Sequence, residues 1–189
     1  YYVTNEFPDR EEAGTPNILG AITLGAAIHV LDKIGMENVL EEDTRLTHYC
    51  LEEMLKVPEM VIYGETCMNT CPRAGTISFN IKRLNHGLVA AILNDYFNIA
   101  VRNECFCAHP YVEKMLELTH RLQIYEARSK NISNWHTEPW MGMVRVSFGL
   151  YNTKEDVNQF IYAIKDIISR HDHYAKHYSI NDKGDYEHK

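Results

Sequence analysis

The chain has 189 residues, 45% hydrophobic and 24% charged, with 19 Lys+Arg against 26 Asp+Glu and a formal charge of −7. That length suits one generous domain with an arm rather than two full-sized domains, and the composition excludes disordered, collagen-like and disulfide-scaffold classes. The acidic balance argues against nucleic acid as a partner, because counterion release needs a concentrated basic face.

Residues 1–14 mix aromatic, acidic, Pro and Gly residues without a period, as an entering arm would. Thr15 reads as an N-cap and Pro16 as the first helical residue, ahead of an apolar, small-residue-rich helix from Ile18 to Leu31. A helix apolar on nearly every side is expected to be buried, between subunits or domains. Thr23 and His29 interrupt it, and it falls short of the ~20 residues a bilayer span needs, so no membrane is expected. With no initiator Met and no signal features at Tyr1, the chain reads as cut from something longer. Five cysteines at uneven spacing read as thiols in a reducing cytoplasm.

Gly35 ends the first helix, and a second runs from about Glu37 to Lys56 with Leu40, Leu46, Cys50 and Met54 as inward candidates and Pro58 stopping it. The period then changes. Met60 to Tyr63 and Gly75 to Ile81 read as strands. A helix from Gly87 to Tyr96 with Asn85 as cap follows, then a short strand from Ile99 to Arg102 and a helix near Pro110 to Leu118. Residues 119–141 are the least regular part. Met143 to Phe148 is a clear strand, and Thr153 with Asp156 opens an amphipathic helix carrying Val157, Phe160, Ile161, Ile164, Ile167 and Ile168. Residues 171–189 carry no apolar period and read as an exposed tail.

Three local patterns could carry chemistry. Gly14-Thr15-Pro16-Asn17 opens a helix, where unpaired N–H groups and a hydroxyl suit either a phosphate or a simple cap. The loop from Arg102 through Glu104, Cys105, Phe106, Cys107 and His109 to Pro110 follows a strand, and a cysteine there is either a nucleophile or a small packing residue. Arg145 stands alone among Met143, Val144, Val146 and Phe148, and a charge in such company needs a carboxylate, from the protein or from a substrate. A zinc site on Cys67, Cys71, Cys105 and Cys107, which would make the chain an interaction module, lacks the usual knuckle spacing. His171, His173 and His177 form a further histidine set, more in keeping with a solvated helix end than with a metal.

The string Glu12-Ala13-Gly14-Thr15-Pro16-Asn17, the segments Ala100-Val101-Arg102 and Cys107-Ala108-His109-Pro110, and Val144-Arg145-Val146-Ser147 with Tyr151-Asn152-Thr153 resemble the C-terminal part of class V aminotransferase-like enzymes. The nearest branch is the group II cysteine desulfurases and selenocysteine lyases, fold-type-I pyridoxal-phosphate enzymes. The resemblance covers about residues 1–170. It implies an α+β small domain, mostly antiparallel sheet with helices on one face, over residues 36–170, joined by a bridging arm and helix at residues 1–35. It further implies a homodimer, pyridoxal 5'-phosphate in the full-length parent, an amino-acid substrate such as cysteine and a sulfur-acceptor protein. Residue by residue, it implies that Thr15, with Gly14, contacts the cofactor phosphate of the neighbouring subunit, that Arg145 pairs with the substrate carboxylate, that Arg102 helps shape the site, and that Cys107 is the nucleophile that takes the sulfur.

Cys105 and Phe106 depart from that pattern, standing where the family usually has histidines, and Glu104 disfavours a thiolate. The stretch 119–141 is longer than in desulfurases, and no lysine sits in the family's cofactor context, so the chain by itself is expected to be inactive. Transamination or lyase chemistry on another amino acid, with Cys107 a bystander, is the alternative.

Overall fold

The computed structural model describes residues 4–12, 14–67, 73–116, 141–182 and 184–189, in two compact units, Tyr1–Glu41 and Glu42–Lys189. The first unit is dominated by α1 (Ile18–Ile34). Its N-cap is Asn17, whose side chain accepts from the Gly20 N–H at 2.9 Å, while the Ile18 N–H reaches the Pro16 carbonyl. This corrects the expected cap at Thr15: the Asn17 amide oxygen satisfies an orphan N–H of the first turn, and Pro16 lies outside the helix. The burial expected for α1 is one between subunits or domains, which a single chain does not supply. Within this chain none of its residues is buried, and Leu19 is 77% exposed. Gly35, at φ 87, ends the helix in a conformation that favours glycine.

The helix α2 (Met36–Leu55) ends inside the second unit, where Leu46, Cys50, Leu51 and Met54 recur at helical spacing and are buried. Leu40, expected inward, is exposed. After β1 (Met60–Ile62) and β2 (Thr76–Ile81) come α3 (His86–Phe97), β3 (Arg102–Glu104), a helix α4 whose described part is residues 109–116, and β4 (Met143–Ser147). Then follow α5 (Lys154–Ala175) and a terminal hairpin of β5 (Tyr178–Ile180) and β6 (Tyr186–His188). The first four strands form one antiparallel sheet in the order β1-β2-β4-β3. The fold is α+β.

Alternation decides the faces. Ile77, Phe79 and Ile81 of β2 lie opposite Val146, Val144 and Met60 in register, and this face packs on α2, α3 and α5. The expected layer of helices on one face is formed by these three. Phe79 meets Phe160 of α5 edge to face at 5.7 Å, and Thr153 with Asp156 closes a capping box at the start of α5. The opposite face carries Ser78, Asn80, Met143, Arg145, Arg102 and Glu104. A smaller cluster of Tyr63, Cys105, Val112, Leu116, Met141 and Met143 holds α4. The strand expected at Ile99–Arg102 falls at Arg102–Glu104, because Asn98 in the left-handed region caps α3 and pairing with β4 begins only at Arg102.

The exposed tail expected at 171–189 is corrected in part, for although most of its described residues are exposed, it holds the end of α5 and a hairpin. Tyr174 and Tyr178 are buried, and their hydroxyls donate to Asp166 at 2.5 Å and Asp95 at 2.8 Å. Tyrosines supply apolar area without an aliphatic period, so this part of the core left no trace in the hydrophobic pattern. Arg170 also binds Asp166 at 2.6 Å, and these partners hold the Asp166 carboxyl below the ordinary aspartate range. Its charged form is therefore favoured by folding. The resulting stability is complete above the unfolded pKa of about 4 and is lost as pH falls through the lower folded value. Acid titration of urea unfolding should show an acid limb that Asp166→Asn flattens. Tyr178→Ala should cost ~3 kcal/mol by the same unfolding assay, whereas removal of a truly exposed tail residue would cost nothing measurable.

Candidate functional site

The polar face of the sheet assembles the residues of interest row by row. Arg145 is the direct cross-strand partner of Ser78 on one side and of Arg102 on the other, so two guanidinium groups project from neighbouring positions of one face. Like charges directly opposite are unfavourable, and among the described residues neither arginine has a carboxylate partner. The Nε of Arg145 is buried without a hydrogen-bond partner. Its guanidinium lies 5.2 Å from the centre of the Phe106 ring, which covers one side of the charge. An anion with two acceptors, such as a carboxylate, answers both the charge and the missing hydrogen bonds.

One row further along, Asn80 donates to the Tyr63 hydroxyl at 3.2 Å and to the Gly142 carbonyl at 2.9 Å, leaving its own Oδ1 buried and without a partner. Gly142 has φ 153, and a Cβ there would run into the His86 ring. Asn80 and Phe106 were not singled out from the sequence. The alternation of Thr76, Ser78 and Asn80 with three apolar residues was the signal for Asn80. No sequence signal reveals that Phe106 folds back over Arg145.

The loop after β3 is held in an unusual backbone. Glu104, Phe106 and Cys107 have φ of 77, 52 and 58, so three non-glycine residues occupy the left-handed region within four positions. Such conformations cost of order 1–3 kcal/mol each and persist where the surroundings fix them, often at functional sites. The Ala108 N–H closes the turn on the Cys105 carbonyl at 2.7 Å. As a result Cys105 points inward and is buried, while Cys107 is exposed. Burial, and secondarily Glu104, push the Cys105 thiol up, and burial pushes the Cys50 thiol up to about 12.

Gly14 and Thr15 belong to the first unit. Gly14 adopts φ 99, and Thr15 is exposed with its hydroxyl and N–H unused among the described residues, a donor set that suits a phosphate oxygen. Of the four cysteines weighed as zinc ligands, Cys71 lies outside the described residues, as does the stretch 119–140. Among the described residues no group of three or more His, Cys, Asp or Glu is placed to hold a metal, which gives the zinc reading no support. No single described helix is long and apolar enough to cross a membrane.

This α+β architecture is that of the pyridoxal-phosphate transferase fold. The apo structure of a cysteine desulfurase from Thermococcus onnurineus NA1 superposes with a TM-score of 0.63 at 31% identity, over 86% of this chain and 34% of that one. A probable cysteine desulfurase of Synechocystis sp. is 33% identical over 168 residues, which is 89% of this chain and 34% of the relative. One from Halalkalibacterium halodurans is 35% identical over 153 residues, 81% and 30% of the two chains. The aminotransferase class-V family matches residues 1–160, and the chain belongs to that family. It spans about a third of the length of these relatives.

Peptide-mapped alkylation at pH 8 should label Cys107 rapidly and Cys105 slowly, with Cys50 protected until the chain unfolds. Equal labelling of Cys105 and Cys107 would contradict the inward turn of the loop.

Proposed function

We propose that this chain is the substrate-binding, sulfur-accepting part of a cytoplasmic, dimeric enzyme that removes sulfur or selenium from cysteine or selenocysteine. The observation that carries the reading is the cross-strand pair of Arg102 and Arg145, without a carboxylate partner among the described residues, on the face bordered by the Cys107 loop. Family members use pyridoxal phosphate, and the relatives are cysteine desulfurases. When bound, the cofactor supplies an electron sink that labilises the bonds of the substrate's α- and β-carbons.

In this reading, Thr15 and the turn at Gly14 bind the cofactor phosphate, and the lysine that holds the cofactor lies in the part of the parent this chain does not include. Arg145 takes the substrate carboxylate through two N–H donors. Arg102 adds a second positive charge, and Phe106 keeps water off one side of the Arg145 guanidinium. The Cys107 sulfur, exposed on its constrained loop, attacks the substrate sulfur: an S–S bond forms, the C–S bond breaks, and the electron pair stays with carbon, which takes up a proton. The products are alanine and a Cys107 persulfide, ready for a sulfur-acceptor protein. By itself the chain has neither the lysine nor the remaining cofactor contacts, and it is inactive.

In the full-length parent, Cys107→Ser should reduce sulfide release from cysteine to background while leaving substrate binding intact. Undiminished release would sink the sulfur-accepting role of Cys107, and an unmodified parent that released no sulfide would favour transamination or lyase chemistry on another amino acid, with Cys107 a bystander. Arg145→Ala should lower kcat/KM for cysteine by roughly 30-fold or more, as expected for truncating a charge paired with a desolvated carboxylate. An unchanged kcat/KM would place the carboxylate elsewhere.

A further inference from the structure

A cleft of about 610 Å3 lies beside β3, and neither Arg102 nor Arg145 lines it. Its floor is one face of α3, where Gly87, Ala90, Ala91 and Asn94 recur at positions i, i+3, i+4 and i+7 and keep the space open. The terminal hairpin contributes Ile180 and Tyr186 to the far wall. The near wall is Ala100, Val101, Asn103 and Glu104. Asn103 and Glu104 project to opposite faces of β3, yet both line the cleft, so it runs along the strand's outer edge. Among the described residues, in the order β1-β2-β4-β3, this edge has no neighbour. Among the described residues, the backbone of residues 100–104 makes no hydrogen bond outside its ladder with β4.

Charge selects the occupant. Asp95, Glu104 and Asp185 border the cleft from three different elements, and none of its described lining residues is Lys or Arg. None of the three carboxylates has a cationic partner among the described residues. Main-chain donors and acceptors along one wall, small side chains on the floor and negative charge around the rim together fit a strand that brings its own backbone pairing and a basic side chain.

We infer that this cleft is a docking site for an extended, lysine- or arginine-bearing segment of a partner protein, which adds to the sheet as a fifth strand along β3. At about 3.3 Å per residue, the wall accommodates on the order of four or five residues. The inference is independent of the role assigned to Cys107.

A fluorescein-labelled heptapeptide of alternating valine and lysine, titrated into the 189-residue chain at low salt, tests it against the same peptide with glutamate in place of lysine. The lysine peptide should bind and the glutamate peptide should not. On binding, hydrogen exchange should slow at residues 100–104 and stay unchanged at Met60–Ile62, the other edge of the sheet. Glu104→Lys with Asp185→Lys should weaken binding at least tenfold, and Ala90→Leu, which fills the floor without touching charge, should also weaken it. Equal binding of both peptides, protection confined to Met60–Ile62, or undiminished affinity in the charge-reversed chain would overturn the proposal. So would protection of residues 100–104 that rises with chain concentration in the absence of peptide, since a second copy would then be the occupant.

Discussion

Arg145 is a charge set into an apolar strand, and the polar face of the domain is organised around it. Its strand neighbours Val144 and Val146 are buried in the main core, so the backbone at position 145 cannot shift to bring the side chain into open water. Its cross-strand partner is another arginine, and its Nε is buried and unpaired. Burying polar groups without partners is destabilising, and a domain free of functional demands would place an apolar or neutral residue there. The fold tolerates the arrangement because more than twenty buried residues on the opposite face hold the strand in register, whatever occupies the polar side.

The loop at Glu104–Cys107 follows the same logic on a smaller scale. Three non-glycine residues in the left-handed region are unfavourable one by one. Cys105, packed with Val112, Leu116 and Met143, anchors the loop. With that anchor buried, Phe106 is brought over Arg145 and Cys107 is presented to solvent. The cysteine-x-cysteine spacing thus separates two roles: one thiol packs, and the other is available.

Much of this was legible in the residues. Alternation in Thr76–Ile81 and Met143–Ser147 shows which side faces the core, and Thr153-x-x-Asp156 marks the start of α5, because both signals are local. The resemblance in three short strings led to the family that the comparisons establish. Which arginine faces which, and that Phe106 covers one of them, depends on the pairing of β3 with β4, strands separated by some forty residues of sequence. No local pattern encodes that register. The C-terminal stretch escaped for another reason: its contribution to the core comes from Tyr174, Tyr178 and Tyr186, spaced irregularly among polar residues, the first two tied by their hydroxyls to Asp166 and Asp95. For α1 the apolar composition was plain, and within this single chain the helix stays exposed.

The central claim is that Arg145 is kept for a ligand and adds no net stability to the domain, its contact with Phe106 being offset by the buried, unpaired Nε and the facing arginine. Equilibrium urea unfolding of the 189-residue chain, unmodified and as Arg145→Leu, measures this directly. Replacing an unpaired, part-buried guanidinium beside a second arginine with an apolar side chain of similar length should leave the domain at least as stable, and more stable by about 1 kcal/mol if the burden is fully relieved. A loss of more than about 2 kcal/mol would show that Arg145 has a structural partner, and would remove the reason for reading the paired arginines as a carboxylate site.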